Sequence, residues 1–246
     1  GVFPKEKTLE WKKKLGDFCR STNALRDWDV YCSAREELEA FVPSFARFGL
    51  DVFFKDLTKS RHIEALKVSS FLKSSKYRKG MLSLEKEWQQ ALALEKSTSS
   101  SLPISEVAGG AIAESFRTIR KFYTRISGRA SDATIHRVRI ECKKMRYLLE
   151  SFSDFFPDHD LAGITRQLTQ VQNRLGRYND HSIQRVHLIG VVKKNMRSEN
   201  ERLILALGCL IGGLHHEQAI LKKKALSALE DFCSRKNAQL VDALEK

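Results

Sequence analysis

The stretch that decides the fold is Ala133–Phe155, ATIHRVRIECKKMRYLLESFSDF. At 100° per residue, Val138, Cys142, Met145, Leu149 and Phe152 fall within about 80° of one another and form an apolar face. His136, Arg139, Lys143 and Arg146 gather within about 80° on the other side, along about 15 Å of helix. Arg137 and Lys144 flank them, and Ile140 and Tyr147 share their side. Asp132 is placed to cap this helix and Pro157 to stop it. Glu141 lies on the far side of the helix, about 180° from the stripe's centre. Like charges stacked at i,i+3 and i,i+4 repel. A helix that needed only solubility would interleave glutamates. The stripe is therefore either a solvated face or a surface for an anion.

The following segment, 160–175, repeats the design. Leu161, Ile164, Leu168, Val171 and Leu175 make an apolar face, with Arg166 and Arg174 opposite and Arg177 just beyond. A short turn separates the two helices, which predicts antiparallel packing. Two rows of cations would then run side by side. Such rows suit phosphate, arginine by bidentate hydrogen bonds and lysine as a point charge.

Working outward, apolar residues recur at helical spacing almost everywhere and no alternating strand pattern emerges, so the fold class is all-α. Further helices are expected over 6–21, 27–41, 44–73, 75–96, 107–127, 179–197 and 199–242, with Pro43 as punctuation. The Ser-rich run KSTSSSLPIS, Lys96–Ser105, marks a linker at 97–106 between a first bundle, 1–96, and a second, 107–246. An ungapped shift carries Phe3-Pro4 onto Phe156-Pro157, Leu15 onto Leu168 and Asp27 onto Asp180. Trp11, Phe18, Leu25 and Val30 then meet Ile164, Val171, Tyr178 and Ile183. Two related antiparallel bundles are the reading. In this register the counterpart of 133–155 would precede residue 1, so the first bundle is expected to lack its first helix. Lys13 and Arg20 are the candidate cations on its equivalent helix, with Arg26 at the turn. Lys73, Lys76, Arg78 and Lys79 cluster around Tyr77.

Composition sets the limits. Of 246 residues, 42% are hydrophobic and 30% charged, a globular balance rather than a disordered one. The net charge of +13 calls for an anionic partner: nucleic acid, an anionic membrane or a polyphosphorylated molecule. The longest apolar run, Leu203–Leu214, is too short to cross a membrane, and no membrane partner is expected. The N-terminus lacks a signal-peptide pattern. Five cysteines without CxxC spacing read as buried reduced thiols of a cytoplasmic protein. The seven histidines show no metal-ligand spacing, and there is no nucleophile motif. Gly109-Gly110 lacks a phosphate-loop context and is assigned to close packing or helix entry. Asp27, Asp29 and Asp180 are expected at turns, as helix caps. No catalytic residue, metal or cofactor is expected.

Four motifs in order resemble the CHAD family, named for a conserved histidine and an α-helical domain. IHRVRIECKKMRYLLESF (Ile135–Phe152) resembles its H-x-x-R-x-x-x-[KR]-[KR]-x-R-[YF] helix, and LTQVQNRLGRYNDHSI (Leu168–Ile183) its L-x-x-L-Q-x-x-L-G-x-x-N-D segment. NALRDWDV (Asn23–Val30) and SSKYRKGMLSLEKEW (Ser74–Trp88) resemble first-repeat motifs, with Asn23 in place of a glycine and Lys76 in place of an arginine. The resemblance implies two pseudo-symmetric helical bundles around a basic central cavity that binds inorganic polyphosphate, on or near polyphosphate granules. It implies ligand contacts from His136, Arg139, Lys143, Lys144, Arg146 and Tyr147, with Arg26 and Lys76 from the first repeat. The alternating-glutamate signature of the triphosphatase often fused to such domains is absent, so that activity is not expected. Sequence-nonspecific nucleic-acid binding through the same cations is the alternative.

Overall fold

A computed structural model describes residues 3–92, 102–126, 131–157, 161–196 and 200–245. Among the described residues there is no strand, and nine α-helices follow one another. They are α1 (Lys5–Ser33), α2 (Arg35–Glu39), α3 (Phe48–Lys73), α4 (Ser75–Leu92), α5 (Ile104–Arg125), α6 (Asp132–Phe152), α7 (Leu161–Asn195), α8 (Glu201–Phe232) and α9 (Arg235–Ala243).

The helices form two compact units, Gly1–Ser101 with Val192–Leu210, and Leu102–Val191 with Ile211–Lys246. Residues 192–210 thus group with the first unit, whereas the sequence placed them in a second bundle at 107–246. Close packing explains the difference. A Cβ on Gly49 of α3 would lie 2.2 Å from the Arg202 carbonyl oxygen, and Leu203, Ala206, Leu207 and Leu210 are buried. The expected linker at 97–106 lies mostly outside the described residues, and α5 already begins at Ile104.

In the first unit α1 runs antiparallel to α3 and α4. Phe18 meets Phe71 at 6.3 Å and Tyr31 meets Phe53 at 5.9 Å. Trp11 meets Trp88 at 6.3 Å and Phe18 meets Tyr77 at 5.3 Å, all edge-on or tilted contacts that aromatic quadrupoles favour.

The second unit holds a continuous core from α5 to α9. Phe116 packs on Phe232 at 5.4 Å, and Val138, Cys142 and Met145 of α6 are fully buried beside Leu168 and Val171 of α7. Gly109 gives the close packing expected of it, because a Cβ there would lie 2.0 Å from the Leu244 carbonyl oxygen. Gly110 has open space around it.

Several expectations are corrected. The breaks foreseen after residues 21 and 175 do not occur, and α1 and α7 are continuous. In α1, Ser21 and Thr22 donate to the carbonyls of Phe18 and Cys19, so residues that read as a turn are satisfied within the helix. Asp27, Asp29 and Asp180 are consequently helix-interior residues, and Asp29 accepts from Arg61 at 2.5 Å. Ser131, not Asp132, caps α6 by accepting from the Thr134 amide. The last helix, expected over 199–242 and read as long enough to break internally, does break after Phe232, where Ser234 starts α9 by capping the Asn237 amide. Cys142 and Cys233 are buried as expected, but Cys19 is exposed and Cys32 and Cys209 are half-buried. The Leu203–Leu214 run belongs to α8, a helix long and apolar enough to cross a membrane by length and composition. Its Leu207, Leu210, Leu214 and Leu229 are fully buried, while 33% of its most apolar window is buried in all.

Candidate polyanion-binding face

The face is built on α6 and α7, which pack antiparallel as the sequence predicted. Asp132 reaches Tyr178 and Ser182, His136 reaches Asn179, and Cys142 reaches Gln172. Each step up α6 is a step down α7. The buried line of α6 is Ile135, Val138, Cys142, Met145 and Leu149, which fixes the rotation of everything else on the helix.

That rotation divides the candidate residues into two flanks. His136, Arg139, Lys143 and Arg146 are centred only about 100° from the buried line, on the side toward α7. Arg139, Lys143 and Arg146 are accordingly half-buried. The line opposite the core is Ile140, Lys144, Tyr147 and Ser151, all exposed. Arg137 turns to the other flank, its guanidinium 5.7 Å above the Phe122 ring of α5.

Three α7 residues receive the first flank. His136 Nδ1 donates to Asn179 Oδ1 at 2.9 Å, which leaves Nε2 for a ligand. Arg139 lies over Gly176, where a Cβ would be 4.0 Å from Arg139 Nε, an ordinary contact. Buried Gln172 donates to the Cys142 carbonyl at 2.5 Å and locks the register. Gln172, Gly176 and Asn179 stand at i, i+4 and i+7, one face of a helix. The sequence reading missed them as positioning residues because it took Gly176–Asp180 for a turn. The signal was their match in spacing to His136, Arg139 and Lys143.

Charge pairing further sorts the cations. Lys144 lies 3.7 Å from Glu141, and Arg146 lies 3.5 Å from Glu150. Among the described residues Arg139 and Lys143 form no ion pair. Lys143 and Arg146 stand 6.0 and 5.3 Å from the centre of the Tyr147 ring. The stripe is therefore uninterrupted only over its middle.

The second cationic row does not form as foreseen. Arg174 donates to the Lys224 carbonyl of α8 at 2.8 Å, about 160° around α7 from Gly176. It joins α7 to α8 instead of lining the α6 stripe. Arg166 and Arg177 are exposed on α7. Lys13, Arg20 and Arg26 lie on α1 and Lys76 on α4, all exposed in the first unit, and Arg20 is paired with Asp17. Arg26 is helical rather than at a turn.

The base of α6 is tied by one carboxylate. Asp132 accepts from Ser182 at 2.6 Å and from Tyr178 at 2.5 Å. These two hydroxyls hold its carboxyl below the usual range against the opposing effect of burial. Burial and the same carboxylate push the Tyr178 phenol up. Burial also raises the Cys142 thiol and pushes Cys233 up to about 12, so neither behaves as a nucleophile near neutrality. Among the described residues no three metal-ligating side chains converge.

No curated protein matches the chain. The sequence model of the CHAD domain matches residues 1–189, a span that contains α6 and most of α7, and the chain belongs to the CHAD domain family.

Proposed function

We propose that this chain is a non-enzymatic module that binds inorganic polyphosphate through the α7-side flank of α6. The CHAD family is associated with polyphosphate-related proteins. The observation that carries the reading is the pair Arg139 and Lys143, about one turn apart on a pre-formed helix and, among the described residues, without acidic partners. Arg139 offers a bidentate fork and Lys143 a point charge to successive phosphates. His136, oriented by Asn179, adds a donor from Nε2 when protonated. Lys144, Arg146 and Tyr147 complete the face, and Arg166, Arg177, Lys13, Arg20, Arg26 and Lys76 extend the basic surface. Arg174 is left out because its guanidinium serves α8. The module would act in the cytoplasm, associated with polyphosphate granules, with no membrane and no catalytic step.

Retention on immobilised polyphosphate tests this. Arg139→Glu with Lys143→Glu should abolish retention while helical content stays unchanged. Retention equal to that of the unaltered chain would refute the assignment. Nucleic acid is the competing ligand, since its phosphates would meet the same cations. Tyr147 is the exposed ring a base would stack on, but Lys143 and Arg146 already stand against it. Long DNA or RNA that displaces polyphosphate at equal phosphate concentration would decide for the alternative. In either case affinity should fall steeply with salt.

A further inference from the structure

The cations of α6 account for an anion, but not for what lies between them. Arg139, Ile140, Lys143, Lys144, Tyr147, Leu148, Ser151 and Phe152 border a shallow open groove of about 560 Å³. Its floor is apolar: Ile140 is 48% and Tyr147 51% exposed, with half-buried Leu148 and Phe152 beside them. Phe155, 48% exposed, continues it, its ring 6.3 Å from that of Phe152. Inorganic polyphosphate has no apolar part to place there.

The spacing of the exposed line identifies what would. Ile140, Lys144, Tyr147 and Ser151 are separated by four, three and four residues, the heptad seam along which a second helix packs. Lys143 and Arg139 border this seam on one side, where a partner helix carries its flanking charges. The seam runs about three turns, roughly 16 Å, enough for one short amphipathic helix. The cationic border and the chain's +13 net charge require that helix to be acidic.

We infer that the outer face of α6 docks an acidic amphipathic helix of a partner protein, with apolar residues on Ile140 and Tyr147 and carboxylates on Arg139 and Lys143. Such a partner would share the two cations with polyphosphate. Polymer and partner would therefore exclude one another, and polyphosphate would release the partner.

The test uses the full chain and three synthetic probes of equal charge. One is a peptide of about 18 residues, five helical turns, with leucines on one face and glutamates beside them. The second is its scrambled sequence and the third is polyglutamate. The amphipathic peptide should bind at least tenfold more tightly than either control, and added polyphosphate should displace it. Ile140→Ser should remove the tenfold preference while leaving polyphosphate retention unchanged. Ser151→Leu, which adds an apolar seam position, should strengthen peptide binding. Equal binding of all three probes, or an Ile140→Ser variant with the preference intact, overturns the inference and leaves the polyphosphate reading standing. An oligothymidylate that binds more tightly than the peptide and loses that binding in Ile140→Ser assigns the floor to nucleobases, and also overturns it. A preserved peptide preference in a chain that fails to retain polyphosphate would sink the polyphosphate reading alone.

Discussion

On α1, Lys14 lies 2.9 Å from Glu10 and 2.7 Å from Glu87, and Lys7 also pairs with Glu10. On α6, Arg139 lies against Gly176 of α7 and Lys143 stands beside the Tyr147 ring, and among the described residues neither pairs with a carboxylate. The two surfaces use the same residue types. On α1 the charges are consumed locally, holding Glu10 and Glu87 below the usual carboxylate range through hydrogen bonds from Lys14. On α6 the middle of the stripe is left for something outside the chain. Net charge counts both surfaces equally, whereas the field that recruits an anion comes from the unmatched cations.

The sharpest way to break this contrast is a pair of double charge reversals of equal magnitude. Arg139→Glu with Lys143→Glu should weaken polyphosphate binding by at least about 100-fold, roughly 3 kcal/mol for two charged hydrogen-bonding groups. Lys7→Glu with Lys59→Glu changes net charge identically at exposed, already paired positions and should cost less than about threefold. Equal losses, measured by titration at one salt concentration, would mean that only total charge matters.

A smaller effect concerns the footing of α6. Asp132→Asn removes a charged acceptor from two hydroxyls and should destabilise the chain by about 1 kcal/mol in urea unfolding at neutral pH, the exposure of the site keeping the value low. Because the folded carboxyl sits below its ordinary value of 3.8, its stabilisation is present above that pH and is lost as pH falls toward the depressed folded value. The acid limb of the stability curve below about pH 4 should therefore flatten in Asp132→Asn.

Glu150→Gln tests the contrast from the opposite direction. Freed from its 3.5 Å partner, Arg146 should join the unmatched cations and raise polyphosphate affinity about two- to threefold, a few tenths of a kcal/mol. Last, Gly176→Ala places a methyl 4.0 Å from Arg139, ordinary contact, so binding should stay unchanged. The helix should gain about 0.5 kcal/mol from the better helix former, seen as a slightly raised unfolding midpoint.

The apolar periodicity of α6 and α7 was mostly readable: Val138, Cys142, Met145, Leu149, Leu161, Ile164, Leu168, Val171 and Leu175 are buried, whereas Phe152 is half-buried and Ile135, not placed on that face, is buried. Burial follows from hydrophobic spacing, which a single sequence displays. Three other features depend on neighbours distant in the chain, which it does not display. Arg174 turns from the stripe because its guanidinium donates a hydrogen bond to the Lys224 carbonyl on α8. Lys14 is neutralised by Glu87, which lies on α4. Gly176 and Asn179 are turn-forming residues, yet α7 continues through them, with Arg139 and His136 of α6 set against that side. Which cations were free was thus settled by tertiary pairing, and the exposed Ile140–Tyr147 line emerged once the buried face fixed the helix's rotation.

The uneven burial of the cysteines equips the unmodified chain with a reporter of its own opening. Cys19 is exposed on α1, whereas Cys142 and Cys233 are sealed in the second unit with their thiols pushed far from ionisation. A thiol-reactive label applied near neutral pH should mark Cys19 first. It should reach Cys142 and Cys233 only as fast as the second unit unfolds, so their labelling times that event without any introduced probe.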